Sequence, residues 1–181
     1  MARVKKEKAP VQLETRVTYL EMAHPIGLTP PVPTNPPIAL IKAANIPPNF
    51  YAYLYENVGK PHHWEERRDT DAVELGTLIN AETTEISVLY VEGCPAGFFE
   101  LALDENPNSI EIKYLGLMKT YQGIGLGKWF IAAAISAAWS YKPEKVCIET
   151  NTLDHPAALP LYQKLGFSPV GIGKAKITEW L

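Results

Sequence analysis

The stretch that decides the fold is LGLMKTYQGIGLGKWFI, residues 115–131. Gly123, Gly125 and Gly127 fall within five residues, between a segment that reads as a strand (109–117) and one that reads as a helix (125–141). Glycines so spaced let the backbone adopt positive φ and approach a ligand closely. The following helix directs its first unsatisfied N–H groups into the same space, which suits a phosphate or pyrophosphate. The loop is not a Walker A motif, because Gly-x-x-x-x-Gly-Lys-Ser/Thr fails after Gly123. It also departs from the dinucleotide fingerprint, whose third glycine falls on Lys128. A tight helix entry without a ligand is the plain structural alternative.

Working outward, the helix 125–141 is apolar on most sides and is expected to be buried. KVCIET (145–150) then reads as an apolar strand, so strand, helix and strand imply a parallel pairing with the helix on one sheet face. AALPLYQKL (157–165) reads as a short helix closed by Gly166, and FSPVGIGKAKITEW supplies one or two last strands. Upstream, EISVLYVE (85–92) and PAGFFELAL (95–103) flank a turn at Gly93–Cys94 and read as a hairpin, with a further turn at Asn106–Pro107–Asn108 before strand 109–117. Earlier still, TRVTYLEM (15–22) reads as a first strand. A helix starts at Asn45 or at Pro47–Pro48 and stops at Gly59, and Asp71 caps another over 72–81. Between strand and helix, proline forces a loop region over 25–48, in which Ile38–Ala44 reads as a short strand or half-turn.

The chain has 181 residues and 16 prolines, ten of them in the first 61 positions. Its length suits one domain over 1–181, with 1–14 a flexible tail whose Arg3, Lys5, Lys6 and Lys8 read as solvated charge. A net charge of −3 gives no global basic field, so no nucleic-acid partner is expected. The longest apolar stretch, Trp129–Trp139, is too short to span a bilayer, and no secretory signal is evident. A cytoplasmic location with Cys94 and Cys147 as free thiols is expected, and no metal site, since His62 and His63 lack ligand spacing.

Residues 115–131 resemble the acetyl-coenzyme A loop of the GNAT superfamily of N-acyltransferases. The family's Gln/Arg-x-x-Gly-x-Gly/Ala pattern is met by Gln122, Gly125 and Gly127. ALPLYQKLGF, 158–167, resembles a second segment of the same family, Leu-Tyr-x-x-x-Gly-Phe, in the expected order downstream. The resemblance covers roughly 84–175. It implies an α+β, GNAT-like acyl-CoA N-acyltransferase fold: a mixed, mostly antiparallel sheet with helices on both faces. It further implies acetyl-CoA as cosubstrate. The backbone N–H groups of Gln122, Gly123, Ile124, Gly125, Leu126, Gly127 and Lys128 would hold its pyrophosphate. Leu115, Gly116 and Leu117 would pair with its pantetheine arm, where their strand splays from Val146–Thr150.

The implied reaction is direct transfer of an acetyl group to a primary amine, small-molecule or peptide, in a ternary complex. A ping-pong route is disfavoured because neither cysteine is placed for an acyl-enzyme. Such an amine arrives mostly protonated and needs a base, and the leaving thiolate needs an acid. Glu111 is the leading base, since the resemblance implies a glutamate at a similar strand position. Strand alternation places it on the face of Lys113 and Leu115, opposite Ile110 and Ile112. Tyr162 matches the family tyrosine and is the candidate acid. Glu100 is a second carboxylate, for the acceptor or as an alternative base. Tyr19 and Phe98 are further acceptor-site candidates, and Trp64–Arg68 reads as a loop with solvated charge. His155 stands where the family often has asparagine, and that asparagine's role is not carried over. Transfer of a longer acyl group, an acyl-CoA-binding regulatory module, a nucleotide-binding module and a homodimer remain open.

Overall fold

The computed structural model describes residues 11–25, 27, 30–103 and 108–180. Seven strands form one sheet, in the order β2-β3-β4-β5-β6-β1-β7. They are β1 (Gln12–Met22), β2 (Ile38–Lys42), β3 (Thr84–Val91), β4 (Cys94–Leu103), β5 (Ser109–Leu117), β6 (Lys145–Asn151) and β7 (Ser168–Thr178). All neighbours are antiparallel except β5 and β6. Their parallel pairing is the one that needs a crossover, and helix α3 (Leu126–Ser140) supplies it.

The sheet is covered on both faces. Apolar residues surround α3, and eight of its side chains are buried against Phe99, Leu101, Ile110 and Ile112. Helix α4 (Ala158–Lys164) joins that face through Tyr162. On the other face lie α1 (Pro48–Gly59) and α2 (Ala72–Ile79), with Tyr51, Leu54, Tyr55, Val58, Leu75 and Ile79 packed on Ile86, Val88, Phe98 and Tyr114. Asp71 caps α2 as expected, its Oδ1 accepting from the N–H groups of Val73 and Glu74 at 2.9 and 3.2 Å.

Several boundaries differ from the sequence reading. Strand β1 begins at Gln12, so 12–14 belong to the sheet, where Leu13 pairs with Ile177. Residues 1–10, with the four basic residues of the tail, lie outside the described residues, as do Asn106 and Pro107 of the expected turn. The β3–β4 turn centres on Glu92–Gly93, one residue early. Both have positive φ (51° and 82°), the geometry that matches the twist of a two-residue hairpin. Within the proline-rich front, 38–42 is a true edge strand because it pairs with Val91–Ser87. The C-terminal segment makes one strand, within the one or two expected.

Candidate active site

Strands β5 and β6 pair only from Ser109↔Lys145 to Ile112↔Ile148. Beyond that point both continue with other partners. Strand β5 stays with β4 as far as Leu117↔Gly97, and β6 stays with β1 as far as Asn151↔Val17. The expected splay is therefore present, and it leaves Lys113–Leu117 with a strand neighbour on one side only. A cleft of about 420 Å³ occupies the gap.

At one end of the cleft is the glycine loop. Gln122 ties it to the strand by donating from Nε2 to the Leu117 carbonyl at 3.0 Å. Gly123 and Gly125 take φ of 78° and 88°, which an L side chain adopts only under strain. A Cβ at Gly123, Gly125 or Gly127 would meet nothing within 4 Å, so the loop presents bare backbone to open space. Gly125 is the N-cap of the 15-residue α3 and offers no side-chain cap, so the first N–H groups of the helix face that space. Gln122, Gly123 and Gly127 line the cleft together with Leu115, Gly116 and Leu117. Ile124 is exposed, while the Leu126 side chain is buried in the core and only its backbone can serve a ligand. Lys128 is exposed on the first turn of α3. The donor set fits a pyrophosphate, and the free edge of β5 fits an amide-bearing arm running as an extra strand.

Gly116 has a second reason to be glycine. A Cβ there would lie 2.4 Å from Val58 Cγ1, so the close approach on that side comes from α1.

The cleft continues to the α1 side, where Val17, Trp64, Glu66, Glu149, Ala175 and Ile177 line it. Tyr162 lines it from α4, 7% exposed, and burial pushes its hydroxyl well above the usual tyrosine range. Glu149 stands one residue past the last β5–β6 pair. Its carboxyl is raised, first by desolvation and then by the neighbouring carboxylates Glu111 and Glu66, with Lys113 opposing. Glu66 accepts from Tyr114 Oη at 2.8 Å and pairs with Lys113 Nζ at 3.0 Å. Burial pulls its carboxyl upward, but those two donors prevail and hold it below the ordinary value. Asp154 accepts from Thr150 Oγ1 and from the Asn151 N–H, both at 2.8 Å, which fixes the turn after β6. His155 also lines the cleft, and its Nδ1 accepts from the Ala157 N–H at 3.2 Å.

Three sequence expectations need correction. Glu111 does not share a face with Leu115. Tyr114 pairs with Glu100 and Ile112 with Leu101, so Lys113 is the extra residue of a bulge, and Leu115 turns to the α3 side with Ile112. Glu111 instead lines a separate groove with Arg67, Ala102, Lys113 and Cys147. Glu100 is 1% exposed. One of its oxygens takes Tyr51 Oη at 2.5 Å and the other takes Arg67 at 3.0 Å, so it is a core ion pair rather than an acceptor ligand. Phe98 is fully buried under α1 and is unavailable to a substrate. Tyr19 is 44% exposed and sits opposite Glu149 in register, beside the cleft lining, with its ring against Gly171 and Gly173.

Glu149 and Glu66 escaped the sequence reading. Alternation in KVCIET puts Glu149 on the polar face of β6, which was a usable signal. Nothing in Trp64–Arg68 shows that this loop folds back over the splay. It is held there by His62 Nδ1 at 3.1 Å from the Leu153 carbonyl oxygen, and by Glu65 accepting from the Thr178 N–H at 2.7 Å.

Among the described residues no cluster of His, Cys, Asp and Glu could hold a metal, and no helix is long and apolar enough to cross a membrane. No curated protein matches the chain. Solved structures do. A GCN5-related N-acetyltransferase from Kribbella flavida is 15% identical, with TM-score 0.61 over 93% of this chain and 60% of that one. A GNAT-family putative acetyltransferase from Novosphingobium aromaticivorans is 16% identical, with TM-score 0.58 over 93% and 65%. An aminoglycoside acetyltransferase from an uncultured soil metagenomic sample is 21% identical, with TM-score 0.56 over 71% and 86%. The first two are longer than this chain, which spans less than two thirds of each, and at these identities all three speak to the fold. The acetyltransferase (GNAT) family model matches residues 49–167, from the start of α1 to the end of the Leu-Tyr-x-x-x-Gly-Phe segment. By that match, with the parted parallel strands and the glycine loop beside them, the chain belongs to the acetyltransferase (GNAT) family of acyltransferase enzymes.

Proposed function

We propose that this protein transfers an acetyl group from acetyl-CoA to a primary amine, by direct attack with both substrates bound. The observation that carries the reading is the junction in a single cleft. The unpaired edge of β5 and the bare glycine loop open at one end, and a raised carboxyl stands at the other. Acetyl-CoA supplies the acetyl group as a thioester, activated for attack by an amine. Backbone donors from Gln122 to Lys128 hold the pyrophosphate, and Leu115–Leu117 pair with the pantetheine amides.

Glu149 is the base in this reading, replacing Glu111, because it lines the cleft and Glu111 does not. Its carboxyl is raised although the side chain is exposed, so it can accept a proton and pass it to solvent. It takes the ammonium proton of the acceptor, directly or through water. The freed amine nitrogen bonds to the carbonyl carbon as the carbon–sulfur bond breaks, and the second proton of that nitrogen leaves to solvent. Tyr162, protonated at neutral pH as any tyrosine is, donates its hydroxyl proton to the leaving sulfur and regains one from solvent. The Leu117 N–H is placed by the same reading to polarise the carbonyl. The acceptor, a small-molecule or peptide amine, enters over Val17, Ala175 and Ile177, beneath the loop that carries Glu66. Cys94 and Cys147 are free thiols, which fits the cytoplasm as the site of action.

The test is calorimetric titration with CoA and acetyl-CoA, followed by thiol release across an amine panel. Saturable binding of both, with amine-dependent thiol release, is expected. Failure to bind either ends the acetyltransferase reading, and binding without turnover of any amine favours a regulatory module.

A further inference from the structure

Gly59 and Gly116 lie on different elements and make room for the same wall. A Cβ on Gly59 would fall 2.5 Å from the Trp64 indole, and one on Gly116 would fall 2.4 Å from Val58 Cγ1 and 3.9 Å from the edge of Trp64. Neither glycine is among those with positive φ, so space rather than torsion accounts for both. Val58 and Trp64 thereby reach the free end of β5 from the α1 side and line the cleft beside Leu115–Leu117. Trp64 is held firmly. Its N–H donates to the Gly59 carbonyl at 3.2 Å, and its ring packs on Tyr114, Tyr55 and Phe98 with centroids 5.0, 5.5 and 6.2 Å away. A ring fixed by three others does not swing aside at small cost.

The opposite side of the cleft, below β5, is lined by the buried side chains of Phe130, Ile131 and Tyr162. A thioester lying along Leu115–Leu117 therefore turns its acyl group toward the α1 side, where this wall stands. We propose that Val58 and Trp64 set the acyl length the protein accepts, admitting acetyl and turning away butyryl and longer chains. The inference rests on the proposed CoA site.

It is tested by binding rather than turnover, with free CoA, acetyl-CoA, propionyl-CoA, butyryl-CoA and hexanoyl-CoA titrated into the full chain. One methylene against a closed apolar pocket is worth roughly 10- to 200-fold. Free CoA and acetyl-CoA are expected to bind with similar affinity, and butyryl-CoA at least about 10-fold more weakly. Trp64→Ala should bring butyryl-CoA to within about 3-fold of acetyl-CoA, a recovery of the same methylene-scale discrimination, while leaving free CoA unchanged. Val58→Ala approaches the same wall from α1, and Trp64→Leu keeps most of the apolar bulk. These two variants carry the test if Trp64→Ala loses its cooperative melt. Equal binding of acetyl-CoA and butyryl-CoA by the wild type overturns the proposal, as does an unchanged ratio in every folded variant. In both cases free CoA still binds, whereas loss of free-CoA binding in the wild type overturns the site reading itself.

Discussion

Glu149 carries the clearest residue-scale consequence. Its carboxyl is raised in the fold, first by desolvation and then by Glu111 and Glu66. A carboxyl with a folded pKa above its unfolded value costs stability once pH passes the unfolded value, and that cost is relieved as pH falls below it. Glu149→Gln is therefore expected to melt slightly higher than the wild type at pH 7. Because the site is open to solvent, the gain should be no more than about 2 °C, and it should vanish near pH 4, as thermal melts across that range will show. At Glu100 the expected change is a loss of stability. Arg67→Met strands a carboxylate that is 1% exposed and still accepts from Tyr51. That loss should cost about 3–5 kcal/mol in urea unfolding, with Glu100→Gln milder because the amide keeps a hydrogen-bond acceptor. Alternation signals only that Glu149 lies on the polar face of its strand, and nothing in the sequence signals the buried pair at Glu100. Glu100 and Glu111 both read as available strand carboxylates, and one bulge at Lys113, invisible to simple alternation, sends Leu115 to the other face from Glu111.

At the scale of elements, the glycine loop and α3 were readable because their signal is local. Three glycines before an apolar helix determine a bare N-terminus whatever packs around it. That independence makes a clean test. Gly127 lies in the first turn of α3 with open space at its Cβ position. An aspartate there favours the helix dipole by about 0.3–1 kcal/mol but repels a pyrophosphate. Gly127→Asp is expected to keep or raise the melting temperature and to weaken CoA binding in calorimetry by at least about 10-fold, a loss of some 1.4 kcal/mol. Weakened binding together with a lowered melting temperature would instead point to a damaged helix. The splay between β5 and β6 had no such local signal. It is set by where pairing stops, at Ile112↔Ile148, and was expected through family resemblance alone.

Across the whole molecule, the proline-rich front was legible as irregular and illegible in its placement. Its one strand, β2, is fixed by pairing with β3, and the loop after α1 is fixed by long-range bonds to Leu153 and Thr178. The last two contacts, 91 and 113 positions apart in sequence, leave no periodicity to read. They bring Glu66 and Trp64 to the cleft that Glu149 lines, so the proposed acceptor side of the site is a product of tertiary folding. The proposed cofactor side is largely a product of local sequence. In the proposed reaction, Glu149 is the carboxylate that shares the cleft with the thioester. The most direct measurement is thiol release from acetyl-CoA with a productive amine, for wild type, Glu149→Gln and Glu111→Gln, with acetyl-CoA binding checked in each. A fall in kcat/KM of roughly 100-fold or more is expected for Glu149→Gln, with binding retained, and little change for Glu111→Gln. Full activity in Glu149→Gln beside a collapse in Glu111→Gln would overturn Glu149 as the base.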